Sequence, residues 1–145
     1  MIKYFYFLYF QYFQEDGSPS NFFQLGLYSS KKKAQESICF FKDLVGFNKH
    51  PLSCFHIKRV KVNFNEEFKC KSDIYLYKLS YSDSDGYDQI TNTTLFGYFE
   101  KRKFAIMERD KQLQTKKFSN KSFFNIEKIK IDENSKLWDE GFTPI

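Results

Sequence analysis

The chain aligns with itself. Sliding it by 71 positions places Tyr6 on Tyr77, Leu8 on Leu79, Phe10 on Tyr81, Gly26 on Gly97, Tyr28 on Phe99, Lys31 on Arg102 and Ala34 on Ala105. After a two-residue shortening in the second helix or its exit loop the offset becomes 69, and Phe55, Ile57, Val60 and Val62 fall on Phe124, Ile126, Ile129 and Ile131. Residue type and order hold over three elements. The chain therefore reads as one small module written twice, residues 1–64 and 73–132, with a tail at 133–145.

Each copy reads as strand, strand, helix, strand. Ile2 to Phe13 is rich in aromatic strand formers, Gln14 to Asn21 carries turn chemistry, and Phe22 to Tyr28 resumes the strand pattern, as in a hairpin. Ser29 or Ser30 can cap a helix whose Ala34, Ile38, Phe41 and Val45 recur at three- and four-residue spacing, and Gly46 is placed to end it. From Cys54 to Phe64 the apolar residues alternate and then slip by one, which predicts a strand with a bulge near Arg59. The second copy predicts strands at Ile74 to Tyr81, Thr94 to Phe99 and Phe123 to Asp132, and a helix from Lys101 to Gln114. The linker Asn65 to Asp73 is short and charged, so the copies are expected side by side in one compact domain, 1–145. The expected fold is α+β: one pseudo-two-fold antiparallel or mixed sheet with both helices on one face.

Phe and Tyr supply 19 and 10 of the 145 residues, so aromatic burial must dominate the core, which suits sheets. The apolar start, Met1 to Phe13, poses the question of a signal or anchor. It is broken by Lys3 and Gln11, lacks a small-residue cleavage site, and its pattern recurs at Ile74 to Tyr81, so a core strand is expected and no membrane. Cys39, Cys54 and Cys70 lack Cys-x-x-Cys spacing, and His50 and His56 complete no zinc set, so no metal or other cofactor is expected and a reducing, cytoplasmic location fits.

Catalytic patterns are sparse. The six glycines are isolated, which excludes a phosphate-cradling loop. Cys54 and His56 lie at alternate strand positions with no orienting third group, so a core Cys beside a surface His is the plainer reading. The Asp83, Asp85, Gly86, Tyr87 and Asp88 loop has alternating carboxylates but no distal Glu, and joins two strands, so it reads as a hairpin turn and not as a calcium loop. A non-enzymatic protein is expected.

Two features point to partners. Lys31, Lys32 and Lys33 and their counterparts Lys101, Arg102 and Lys103 occupy the same helix start in each copy, where a duplicated phosphate-binding surface can arise; this is the nucleic-acid alternative. The net charge is +5, with the basic excess in the first half of the chain, and acidic Glu36, Glu100, Glu108 and Asp110 dilute the clusters. Aromatics such as Tyr4, Tyr6, Tyr9 and Tyr12 can instead line a protein-binding sheet face.

The run Leu25-Gly26-Leu27-Tyr28-Ser29-Ser30-Lys31-Lys32-Lys33-Ala34, then Gly46-Phe47 and Phe55-His56-Ile57, with the closing Trp138-Asp139-Glu140-Gly141-Phe142, resembles a small uncharacterised bacterial domain family met beside polymorphic toxin immunity genes. In that family the Trp motif follows the final strand directly; here the first copy lacks it and the second supplies it. The resemblance implies an immunity protein that binds a cognate toxin without catalysis, and the duplication, which supplies a two-fold partner within the chain, implies a monomer. Inhibitors of nucleases are often acidic, so in this basic chain either a toxin with an acidic surface or contact through the acidic hairpin, Asp83, Asp85, Tyr87 and Asp88, reconciles the charge, and the hairpin is the expected partner-binding site. Without the family, Trp138 and Phe142 read as anchors of a C-terminal turn, with Gly141 allowing the bend.

Overall fold

The computed structural model describes residues 2–20, 22–64, 74–84 and 90–142. Its elements run β1 (Ile2–Phe10), β2 (Phe23–Tyr28), α1 (Lys31–Phe41), β3 (Phe55–Asn63), β4 (Tyr75–Ser84), β5 (Ile90–Phe99), α2 (Arg102–Gln112) and β6 (Phe124–Lys130), with single 3-10 turns at Phe47–Lys49, Leu52–Cys54, Lys121–Phe123 and Lys136–Trp138. The fold is α+β, but the strands make two three-stranded antiparallel sheets, ordered β2-β1-β3 and β5-β4-β6, and not the single pseudo-two-fold sheet expected from the sequence. The reason lies in the central strands. β1 and β4 are central, each paired on both sides with strands of its own half, and no ladder between the halves is found among the described residues.

The two sheets agree in detail. Tyr6 pairs with Tyr28 and Leu8 with Gly26, while Tyr77 pairs with Phe99 and Leu79 with Gly97. A register shift follows Leu8 in one sheet and Leu79 in the other. All of these positions are related by the offset of 71. The second hairpin is longer than its sequence predicts: Asp83 pairs with Asn92 and Ser84 with Ile90, so Asp83 belongs to a strand and not to the loop.

The chain divides into two compact units that do not follow the copies. The first comprises Tyr4–Val60 and Ile131–Ile145; the second comprises Met1–Lys3 and Lys61–Lys130. The division falls inside β3 and explains its slipped pattern. In the first half of the strand Phe55 is buried and Ile57 half-buried; beyond Arg59 the buried residue is Val62, on the other side of the strand.

In the first unit Leu8, Phe10, Leu25, Tyr28, Ala34, Phe41, Phe47 and Phe55 form the core, with Ile38, Trp138 and Phe142 packed against it. Phe10 is its hub, meeting Phe47 at 4.8 Å and Phe55 at 4.9 Å between ring centroids. Helix α1 starts where the Ser30 hydroxyl accepts the Lys33 N–H at 3.2 Å. It ends at Lys42, earlier than Gly46 predicts.

The second unit has an aromatic cluster of its own. Tyr81, the counterpart of Phe10, meets Phe124 at 4.8 Å and Phe118 at 5.0 Å, and α2 contributes the buried Ala105 against the sheet. Among the described residues no helix is long and apolar enough to cross a membrane.

Candidate interaction surface

The tail closes the first unit along β2. The Asp132 N–H donates to the Leu27 carbonyl at 2.9 Å and the Ser135 N–H to the Leu25 carbonyl at 2.7 Å, which covers an edge strand. Asp132 has a left-handed backbone, φ 64°, and its carboxylate accepts the Ser29 N–H and hydroxyl, each at 2.7 Å, and the Lys33 ammonium at 3.0 Å. Partial burial works against the charge, but these donors outweigh it and hold the carboxyl below its ordinary range. The Tyr28 hydroxyl donates to Asn134 Oδ1 at 2.5 Å, and burial pushes that phenol up to about 12.

Trp138 then stacks on Phe23 at 4.5 Å with 6° between the rings, and Phe142 stands edge-on to Phe23 and Phe47. The tail residues thus serve as anchors on the first core.

This arrangement changes the standing of the basic helix starts. Lys33 is held by Asp132, while Lys31 and Lys32 are exposed at the start of α1. Lys101 is the N-cap residue of α2, Arg102 and Lys103 open the helix, and the Lys103 ammonium lies 5.2 Å from the Phe104 ring centre. The acidic hairpin is divided: Asp83 lies within β4, one residue before its end at Ser84, and Asp85, Tyr87 and Asp88 lie outside the described residues. Burial pushes the Cys54 thiol up, away from the thiolate that nucleophilic attack requires, and His56 is stacked on Tyr9. Among the described residues no group of three or more His, Cys, Asp or Glu side chains could hold a metal ion.

A different set of residues converges on the sheet face opposite α1. Phe55 and Ile57 belong to the α1 core, so His56 between them points to the other side. There it stacks on Tyr9 at 5.0 Å and 22°, Tyr9 stacks on Phe7 at 5.4 Å and 24°, and Phe22 meets Tyr9 at 5.1 Å and 62°. Phe22 is 58% exposed, and His56 and Lys58, next along that face, are also exposed. Of the four tyrosines expected to share a face only Tyr9 takes part. Tyr6 and Tyr12 pack against the α1 core, and Tyr4 lies 4.4 Å beneath the Arg59 guanidinium.

Comparing equivalent positions separates scaffold from specialisation. The Arg59–Tyr4 pair recurs as Lys128 over Tyr75, 4.2 Å from its ring centre, so it belongs to the shared framework. The aromatic row does not recur. At the positions of Phe7, Tyr9, Phe22, His56 and Lys58 the second half carries Lys78, Ser80, Thr93, Asn125 and Glu127. Register places Lys78 between Tyr98 and Glu127. Lys78 is almost buried, and desolvation lowers its ammonium while Glu127 acts in the opposite sense; burial and then Glu127 push Tyr98 up to about 12. The aromatic row thus runs from half-buried Phe7 and Tyr9 to exposed Phe22 and His56, whereas at the equivalent positions Lys78 and Ser80 are buried and Thr93, Asn125 and Glu127 are exposed.

The sequence offers one signal for this row: the two copies differ there at non-core positions while agreeing in the core. Comparison with protein-family models, with curated proteins and with solved structures finds no match, so geometry alone carries the functional reading.

Proposed function

We propose that the chain is a non-enzymatic binding protein, and specifically a bacterial immunity protein that neutralises a cognate toxin by covering it. The observation that carries this reading is the row Phe7, Tyr9, Phe22 and His56, whose rings are packed against one another before any partner arrives. Partly exposed aromatics held in one arrangement lose little freedom on binding, which is the property of interface anchors. The acidic hairpin, Asp83, Asp85, Tyr87 and Asp88, is proposed on its charge as a second contact. The remaining parts of the proposal are a cytoplasmic monomer and a tandem duplication with a pseudo-two-fold relation, of which one copy has taken on recognition.

The test is co-expression with the product of the adjacent gene. A complex that survives purification is expected, with Phe22→Ser weakening it by about tenfold or more while the melting temperature is unchanged. Retention of mixed nucleic acid instead, weakening steeply with salt and abolished by replacing Lys31, Lys32, Lys101 and Arg102, would favour the helix starts as the binding surface and defeat the proposal.

A further inference from the structure

The outer strands of the two sheets are protected unequally. β3 and β6 carry three charged side chains each, Lys58, Arg59 and Lys61 in one and Glu127, Lys128 and Lys130 in the other, and charge on an edge discourages pairing with a foreign strand. β2 has no charged residue and no proline, and the tail covers it. β5 has neither over its 10 residues, yet among the described residues no backbone hydrogen bond reaches it from outside β4. We infer that the outer edge of β5 docks an extended segment of the partner protein, which adds antiparallel to β5 as the chain's own tail does along β2. This rests on the reading of the chain as a binding protein and adds a main-chain contact to it.

Register sets the equivalence of the two edges. Leu8 pairs with Gly26 and Leu79 with Gly97, with a shift after each, so Leu25 and Leu27, whose carbonyls accept the tail, correspond to Phe96 and Tyr98. Such an edge alternates N–H and C=O groups, and another polypeptide backbone complements both. A phosphate backbone offers acceptors only and leaves the carbonyls unpaired. The edge is accessible in its middle, where Thr93 is exposed and Leu95 is 45% exposed.

The tail also shows what the segment carries. It bonds Leu27 through Asp132 and Leu25 through Ser135, so it runs antiparallel to β2, and it ends with Trp138 on Phe23 and Phe142 on Phe47. The Asp132 carboxylate lies at the start of α1, where it accepts the Ser29 N–H and the Lys33 ammonium. At the start of α2 the first turn has no acidic residue and Lys101 makes no side-chain cap bond, while Lys101, Arg102 and Lys103 outnumber Glu100. A carboxylate entering at the place of Asp132 therefore meets net positive charge and the N-terminal end of a helix. Farther along, Phe118 meets Tyr81 as Phe47 meets Phe10, but Phe118 is half-buried where Phe47 is buried. The docking segment thus carries an acidic residue followed by an aromatic one, in the order of Asp132 and Trp138.

The experiment adds a synthetic peptide of residues 131–142 to the full chain and follows amide chemical shifts by NMR. The peptide is expected to shift β5 amides around Leu95, and to lose about tenfold or more in affinity when its residues 132 and 135 are N-methylated, when it carries Asp132→Lys, or when Leu95→Lys in the protein blunts the edge. The melting temperature of the Leu95→Lys protein should match the parent. Shifts confined to β2, indifference to N-methylation, tighter binding of oligothymidylate, or a dimer of the free chain that Leu95→Lys dissolves would each overturn the inference. The broader reading fails separately. A toxin complex in which β5 amides exchange hydrogen as fast as in the free chain leaves the immunity proposal standing and removes this one; peptide addition at β5 without a toxin complex does the reverse.

Discussion

Gly46 and Gly141 meet where two backbone segments cross. Gly46 has φ 89° and Gly141 φ 82°, and the Phe142 N–H donates to the Val45 carbonyl at 2.8 Å. A Cβ on Gly46 would collide with the Phe142 carbonyl oxygen and ring, and one on Gly141 with the Val45 backbone. Gly46→Ala and Gly141→Ala are each expected to cost about 2–4 kcal/mol in urea unfolding, from left-handed strain plus overpacking. Gly17, also at positive φ but with nothing within 4 Å, is the control, and Gly17→Ala should cost only about 1 kcal/mol. Asp132 gives a pH test. Its folded carboxyl titrates below its unfolded value, so its contribution is present above about pH 4 and is lost as pH falls through the folded value. Asp132→Asn should cost on the order of 1 kcal/mol at pH 7, moderated by the 54% exposure of Lys33, and the difference from the parent should shrink at pH 3.

At the level of elements, the two helices begin differently. Ser30 caps α1 through its hydroxyl, whereas Lys101 at the head of α2 makes no side-chain cap bond. Ser30→Ala should lower stability by about 1 kcal/mol and Lys101→Ser should raise it by about 0.5–1 kcal/mol, both measurable as shifts in urea midpoint. Much of this layer was legible in the sequence. The offset of 71 coincides with the pairing of β1 with β2 and of β4 with β5, and apolar spacing located both helices. The misses share a cause, which is that local chemistry cannot see distant pairing. Ser82 and Asp83 have turn character, yet cross-strand bonds, including Ser82 to Thr93 between hydroxyls at 3.2 Å, carry β4 past them. Gly46 resembles a helix end but serves a crossing with a residue far along the chain. The aromatic row escaped because Phe22 and His56 are distant in sequence from Tyr9, and only the folded sheet brings them together.

On the scale of the whole molecule, the compact units interrupt one another along the chain. β1 and β3 each pass from one unit into the other, so neither can be excised without cutting a strand. Cooperative unfolding is therefore expected: fluorescence of Trp138, which reports the first unit through its stack on Phe23, should track far-UV circular dichroism through a single transition. Separate transitions would show that the shared strands do not couple the units. Ending the chain after Lys130 removes Asp132, Trp138 and Phe142 from the first core, and that variant should fail to fold cooperatively even though every strand and α-helix is retained.

The same closure has a consequence for synthesis. Asp132 follows its partner Ser29 by 103 residues, so a ribosome must make β3, the whole second half and α2 before the β2 edge can be covered. Throughout that interval Phe10, Phe23 and Phe47 wait without Trp138 and Phe142, and a nascent chain holds an incomplete aromatic core beside an open strand edge. Emergence of the tail, and not of the first module, is then the event that commits the nascent protein to its fold, and trigger-type chaperones should be needed most in the seconds before it.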